Sequence, residues 1–253
     1  RLPAEGAPGS AQAIEALVEV MREQSRARKG SFGSDLYRGG LARKLCSDAS
    51  LGAALERIER REAQAHERAG APGTTHISVV DERGNAASLT ASIGSGSGVI
   101  VPGTGIHLNN MLGEYDLNPP GSRARPGARL TSMMAPSLVL DHERPRLVVG
   151  SAGSIRLRGA IMQTVINVVQ HGMPVEQAIA APRIHVDNGH VHCEGGCDQK
   201  ELDRLDALGY ELIRWRRQNL YFGGASAVER RDDDSLAAAG DPRRGGHGIV
   251  VPA

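Results

Sequence analysis

The chain has 253 residues, 40% of them hydrophobic, enough for one large globular domain or two small ones with a substantial core. Its 30 Lys and Arg stand against 29 Asp and Glu, so the net charge of +1 sets up no basic field for nucleic acid, and 3% aromatics leave few platforms for stacked bases. No apolar run approaches the roughly 20 residues of a membrane helix, three cysteines make no disulfide-stapled scaffold, and Arg1 in place of an initiator methionine leads us to expect a missing natural start, with any targeting segment.

Residues 1–73 read as helical and surface-rich. Ser10 caps a helix with Ile14, Leu17, Val18 and Met21 at helical spacing and Gly30 past its end. A second helix from about Asp48 to Ala69 carries Leu51, Leu55 and Ile58, then the charged run ERIERREAQAHERAG, a solvated face leading into an exposed linker. At Ala71 the character changes. Runs rich in β-branched residues, divided by Gly, Pro, Asn and Asp, predict strands at 75–81, 86–93, 98–101, 105–109, 136–140 and 146–150, interrupted by the irregular loop GEYDLNPPGSRARPGARL. SIRLRGAIMQTVINVVQHG predicts a helix with Ile155, Ile161, Val165, Val168 and Val169 inward, closed by His171 and Gly172, and PVEQAIAAP a short one. Strands near 183–186 and 190–193, a helix at 198–208, and strands near 210–215, 224–229 and 247–251 complete the chain. Helix-flanked sheets without regular βαβ alternation predict an α+β layered sandwich.

The stretch PGTTHISVVDERGNAASLT places two threonines where the charged segment gives way to a hairpin. Gly84 and Asn85 readily adopt positive φ, and a three-residue loop at Glu82–Gly84 pairs Val80 with Ala86. Counting outward, Thr74 falls opposite Ser92, to within one position. Thr and Ser are ordinary strand residues, and the pattern alone favours that reading. The functional reading is that cleavage after Gly73 frees Thr74, whose own α-amine, with an ordinary pKa of roughly 7.7–8.0, accepts the hydroxyl proton near neutrality. Glycine at 73 permits the bent peptide that self-cleavage requires.

This stretch, followed in order by GTGIHLNNMLGEYD, RLTSMMAPSLVL, VVGSAGSIRLRGAIMQTVINVV and APRIHV, resembles the γ-glutamyltransferase family of N-terminal-nucleophile hydrolases, from about Gly73 to the end. The resemblance implies a four-layer αββα sandwich, with residues 1–73 the tail of the large subunit and 74–253 the small subunit, both parts of one αββα domain. It implies an autoprocessing acyl transferase acting on glutathione-like γ-glutamyl amides, with Thr74 as nucleophile of self-cleavage at Gly73–Thr74 and of catalysis, and Ser92 orienting it. Gly153 and Ser154 fall on the glycine-rich oxyanion segment, where a turn feeding a helix start converges backbone N–H groups on negative charge. Thr131 and Ser132 fall on the hydroxyl pair that holds the substrate α-carboxylate, and Glu114 on the acid that holds its α-ammonium. Gly94 and Met111 depart from the family's asparagine and amide side chain, so glutaryl or cephalosporin-type acylases remain the alternative, and an unprocessed inactive precursor fragment a second one. The implied partners are a small-molecule donor, an amino acceptor or water, and the large subunit, in a heterodimer or a dimer of heterodimers. No cofactor, nucleic acid or membrane segment is implied, and the compartment is left open.

Other signals carry less. HVDNGHVHCEGGCD brings His185, His190, His192, Cys193 and Cys197 together, but its cysteine spacing has no second pair elsewhere, so a strand hairpin is preferred to a zinc site. GSGSG at 94–98 is followed by no Gly-Lys-Ser/Thr and is not a strained serine elbow; it reads as a mobile loop near the substrate. RRDDDSLAAAG reads as a charged turn and GDPRRGG as a surface corner.

Overall fold

The computed structural model of the chain describes residues 6–30, 32–60, 73–114, 117–118 and 126–252. In chain order the helices and strands are α1 (Ala11–Ala27), α2 (Phe32–Arg38), α3 (Leu41–Leu45), α4 (Asp48–Glu59), β1 (Thr74–Val80), β2 (Ala86–Ser92), β3 (Ser137–Asp141), β4 (Arg144–Ala152), α5 (Leu157–Val169), α6 (Val175–Ala180), β5 (Ile184–Asp187), β6 (His190–Cys193), α7 (Gln199–Ala207), β7 (Leu212–Arg214), β8 (Gly224–Arg230) and β9 (Leu236–Gly240). Among the described residues no helix is long and apolar enough to cross a membrane. Two compact units emerge: one gathers the residues before the hairpin with Ile184–Cys193 and Cys197–Trp215, the other the remainder.

In the first unit Ser10 Oγ accepts the Ala13 N–H at 3.2 Å and starts α1, whose Ile14 and Val18 are buried with Ile184, Val191, Leu202, Leu205 and Tyr210. The order β5-β6-β7 pairs the first two strands antiparallel and the last two parallel. The histidine-rich stretch forms the β5–β6 hairpin, with His185 opposite His192 and Asp187 opposite His190. Trp215 Nε1 donates to His192 Nδ1 at 3.2 Å, and burial pushes the Cys193 thiol up to about 12.

The second unit carries the site. Its central sheet runs β3-β4-β8-β9, all antiparallel. Alternate residues of the sheet point to one face: Leu147 and Val149, Ala225 and Ala227, Ala237 and Ala239 meet Leu157, Ile161 and Val168 of α5 and Val175 and Ile179 of α6. The opposite face, through Gly150 and Ser226, receives the β1–β2 hairpin. Sheet, sheet and helices stack in that order, an α+β sandwich as the sequence predicts. At the exit of β4 the chain passes so close to the entrance of β8 that a Cβ on Gly153 would stand 2.7 Å from Gly223 Cα.

Several expectations need correction. Residues 231–235 make the charged turn, but Leu236–Gly240 continues as β9, because small Ala237 and Ala239 let α6 lie close over the sheet. The run 247–251 forms no strand; Gly248 lies against the Ala238 backbone while Ile249 and Val251 are exposed. The two strands expected at 98–109 are a short irregular hairpin holding one Ile100–His107 bridge, since glycines at 94, 96, 98, 103 and 105 all take positive φ and break the extended run. The second helix ends at Glu59, and the charged linker expected beyond it lies outside the described residues, as does much of the loop between Glu114 and Pro126.

GDPRRGG turns at the surface through exposed Pro242 and Gly245, but its charged side chains are engaged inward. The Arg243 side chain is fully buried, its Nη2 on Glu194 Oε2 at 2.5 Å and its Nη1 on Asp241 Oδ1 at 3.1 Å, while Arg183 Nη2 meets Asp241 Oδ2 at 2.6 Å. The carboxylates also accept backbone N–H groups: Asp241 from Ala225, and Glu194 from Arg183 and Asn219. Burial works to raise the Asp241 carboxyl, but Arg183 and Arg243 outweigh it and hold it below the usual range. Two cations and two anions cancel in a fully hydrogen-bonded knot, so removing one member strands a buried charge. Glu194→Ala is therefore expected to cost on the order of 3–5 kcal/mol. A denaturant midpoint measured with an unchanged m-value checks this, and a loss below about 1 kcal/mol would contradict it.

Candidate active site

The hairpin turn fixes the site. Asp81 Oδ1 accepts from Arg83 N at 2.9 Å and Asn85 N at 2.8 Å, and Asn85 Nδ2 donates to Asp81 Oδ2 at 2.7 Å, with Gly84 at φ +83°. This loop pairs Val80 with Ala86, and the ladder then runs without a bulge to Thr74 opposite Ser92, the register counted from the sequence. The two hydroxyls meet at 3.0 Å. Ser92 Oγ also accepts the Gly94 N–H at 3.0 Å. The Gly73 carbonyl takes the Ile93 N–H at 3.1 Å and faces Ser92 Oγ at 3.4 Å. A Cβ on Gly73 would stand 1.7 Å from Gly94 O, so no side chain fits immediately before Thr74.

The hairpin buries its polar face. Inward rungs are Thr74 with Ser92, His76 with Thr90, and Ser78 with Ser88, whereas the outward Ile77, Val79 and Leu89 are 55%, 50% and 61% exposed. His76 Nδ1 bonds Thr90 Oγ1 at 2.7 Å and Nε2 bonds Ser78 Oγ at 2.9 Å, and the ring fills the space a Cβ on Gly150 would need. Ser88 Oγ donates to Val149 O, and Ser226 Oγ to His76 O, tying the hairpin to the sheet. Burial lowers the His76 pKa from 6.5.

Thr74 and Ser92 open onto a small cavity of about 40 Å³. Glu114 and Ser132 supply polar walls, Met111, Met133, Met134 and Leu157 apolar ones, and Gly94 and Ser154 complete the lining. Glu114 Oε1 accepts the Ser95 N–H at 3.0 Å, and Asn110 Oδ1 the Gly96 N–H at 3.2 Å. Gly94, at φ +65°, must be bare: a Cβ would lie 2.2 Å from Asn110 Oδ1 and 2.7 Å from Glu114 Oε1. The GSGSG loop is thus held by named hydrogen bonds. Ser132 Oγ accepts the Met134 N–H at 3.0 Å. Ser154 takes φ +55°, rare for a residue with a side chain, and opens the 3₁₀ turn Ser154–Arg156 that leads into α5.

Of the residues singled out from the sequence, Thr74, Ser92, Glu114, Ser132 and Ser154 share this cavity; Thr131 and Gly153 do not line it, although each adjoins a residue that does. The sequence reading missed the apolar wall of Met133, Met134 and Leu157. It also missed Arg244, whose Nη2 donates to the Thr74 carbonyl at 3.1 Å across 170 positions of sequence. No local pattern carries a contact of that separation.

A histidine held neutral in the fold couples stability to pH. Between the lowered folded pKa and the unfolded 6.5, the unfolded chain binds more protons. The His76 contribution is therefore complete above pH 6.5 and is lost as pH falls towards the folded value. Urea unfolding at about pH 7.5 and about pH 5 is expected to show a smaller loss of stability on acidification in His76→Gln than in the wild type; equal losses would contradict the buried neutral ring.

The chain matches the family model described as gamma-glutamyltranspeptidase over residues 4–251. It is 34% identical over 196 residues to the glutathione hydrolase proenzyme of Pseudomonas aeruginosa, covering 70% of this chain and 34% of that protein. It is 30% identical over 181 residues to the acylase ACY 1 proenzyme of Pseudomonas sp. strain SE83, covering 70% of this chain and 32% of the relative. Among solved structures, the gamma-glutamyltranspeptidase from Pseudomonas nitroreducens complexed with L-DON superposes with a TM-score of 0.61 at 33% identity, over 70% of this chain and 100% of that one. The chain spans about a third of the length of these curated relatives.

Proposed function

The chain belongs to the gamma-glutamyltranspeptidase family, with an α+β fold of the N-terminal-nucleophile hydrolase type, and on that premise we propose that it is the tail of a large subunit, residues 1–73, followed by a small subunit that begins at Thr74 and transfers acyl groups from γ-glutamyl amides of the glutathione kind. The observation that carries the proposal is the 3.0 Å contact of Thr74 Oγ1 with Ser92 Oγ at a cavity mouth, beside a Gly73 carbonyl held by the Ile93 N–H.

Two reactions use the same atoms. In self-cleavage Thr74 Oγ attacks the Gly73 carbonyl carbon, its hydroxyl proton passes to the Thr74 nitrogen as the C–N bond breaks and the new ester forms, and water hydrolyses that ester to a Gly73 carboxylate and a Thr74 hydroxyl beside its free amine. The Ile93 N–H is placed to stabilise the developing oxyanion. In catalysis the free amine takes the hydroxyl proton as Oγ bonds the donor carbonyl carbon, and backbone N–H groups at Gly153–Ser154 receive the oxyanion. The C–N bond of the donor then breaks, its nitrogen leaving with the proton from the ammonium. Water or an amino acceptor attacks the Thr74 ester, gives up its proton to the amine, and releases the acyl group. Ser92 orients the nucleophile. Glu114 pairs the donor α-ammonium, and Ser132, with Thr131 beside it, hydrogen-bonds the α-carboxylate. No cofactor takes part.

The apolar face presented outward by Ile77, Val79 and Leu89 supports a large-subunit partner, and the proenzyme names of the relatives support the cut. A second reading has its own support. Met111, Met133, Met134 and Leu157 favour an acyl chain without a second charged head, and one relative is named an acylase.

Side-by-side assay of the processed full-length protein on γ-glutamyl and glutaryl anilides separates the two, and faster glutaryl turnover overturns the first. Thr74→Ala is expected to abolish both cleavage and turnover; cleavage in that variant removes the mechanism. Glu114→Gln is expected to lower kcat/KM for the γ-glutamyl donor by on the order of 10–100-fold, the loss of one charge-assisted contact, with much less effect on the glutaryl donor. Equal effects on the two donors would remove Glu114 from ammonium recognition.

A further inference from the structure

Two neighbouring arginines near the end of the chain meet opposite fates. Asp241 Oδ1 accepts the Arg243 N–H at 2.9 Å and caps the 3₁₀ turn Pro242–Arg244. Arg243 turns inward and is neutralised by Glu194 and Asp241. Arg244 runs the other way. Its stem lies over Gly224, where a Cβ would stand 2.1 Å from Arg244 Cδ, and its Nη2 donates to the Thr74 carbonyl at 3.1 Å. Among the described residues it meets no carboxylate, and its Nη1 is buried without a hydrogen-bond partner. A guanidinium stays protonated at every working pH. An uncompensated positive charge therefore stands at the main chain of the proposed nucleophile.

We propose that Arg244 is a positioning residue that anchors the main chain of Thr74 and keeps the freed α-amine of that residue unprotonated, and so able to act as base, near neutral pH. This rests on the reading of Thr74 as an amino-terminal nucleophile. The amine and the carbonyl belong to one residue, so the guanidinium lies within about 7 Å of the amine. A cation at that distance penalises the ammonium form, and the amine pKa falls from its ordinary 7.7–8.0 by on the order of one unit. The charged and titratable groups around Thr74 are few. Glu114, across the same cavity, acts in the opposite sense and is engaged by the Ser95 N–H; His76, one rung down, is favoured in its neutral form by burial. Ser92 from β2, Met133 and Met134 ahead of β3, and Ser154 and Leu157 at the start of α5 bring no charge.

The test uses the processed protein with Arg244→Met and Arg244→Gln, which remove the charge, and Arg244→Lys, which keeps it. NMR of protein carrying 13C-labelled threonine titrates the terminal residue directly, and the pH dependence of kcat/KM on a γ-glutamyl anilide reports the free-enzyme base. The amine pKa and the acid limb are expected to rise by about one unit in the two neutral variants and by no more than a few tenths in the lysine variant. Profiles of the neutral variants that overlie the wild type overturn the proposal, as does a lysine variant shifted as far as they are. Failure of both neutral variants to fold also counts against it, because a half-buried guanidinium with no ion-pair partner can be neutralised without collapse. A wild-type chain that stays uncut refutes this inference and its parent together. A cut wild type that turns over no amide refutes the parent alone, and the amine titration still decides the role of Arg244.

Discussion

An antiparallel ladder alternates faces with a period of two, so a slip of one residue would turn every side chain of the β1–β2 hairpin to the wrong side. The account of this protein depends on that register. The Asp81–Asn85 loop sets it with three side-chain hydrogen bonds, and six residues further along the strand the Thr74 and Ser92 hydroxyls arrive 3.0 Å apart. With the register displaced by one, Thr74 would stand opposite Ala91 or Ile93 and no hydroxyl pair would face the cavity. The turn is exposed and distant from the chemistry, yet it positions the two atoms the chemistry uses.

Beyond the Val80–Ala86 rung the inward face is polar, unusual for a surface packed on a second sheet. It is tolerable because the rungs satisfy one another: the His76 ring bridges Thr90 and Ser78, and Ser88 and Ser226 donate to main-chain carbonyls across the interface. Such a layer specifies geometry, since a hydrogen bond weakens steeply with a change in distance or angle. The buried knot of Arg183, Asp241, Arg243 and Glu194 does the same for the end of the chain, fixing the 3₁₀ turn from which Arg244 reaches Thr74.

What could be read from the sequence was mostly local. Asn85 and Gly84 announce the turn, counting gives Thr74 opposite Ser92, and Gly73 stands where only a bare backbone fits. Helical periodicity gave α1 and α5, and β-branched runs gave β3, β4 and β8. Which hairpin face is buried was not legible, because Ile77 and Val79 look like core residues and lie exposed. Nor was β9, whose alanines have weak strand preference and pair because α6 needs small neighbours. Arg243 followed the usual rule that charge lies at the surface until Glu194, 49 residues away, supplied its partner. Ser132 and Glu114 came from family resemblance rather than from spacing, while Met133 and Met134 reach the cavity, and Arg244 the Thr74 carbonyl, only through tertiary contacts.

The central claim is that the Thr74 hydroxyl forms the covalent bond to the acyl group. Acid quenching of the processed protein during turnover of a γ-glutamyl anilide, followed by peptide mass spectrometry, tests it most directly. The account predicts a γ-glutamyl ester on Oγ of a peptide whose first residue is Thr74. Acylation of any other side chain, or steady turnover with no acylated peptide beginning at Thr74, would contradict it.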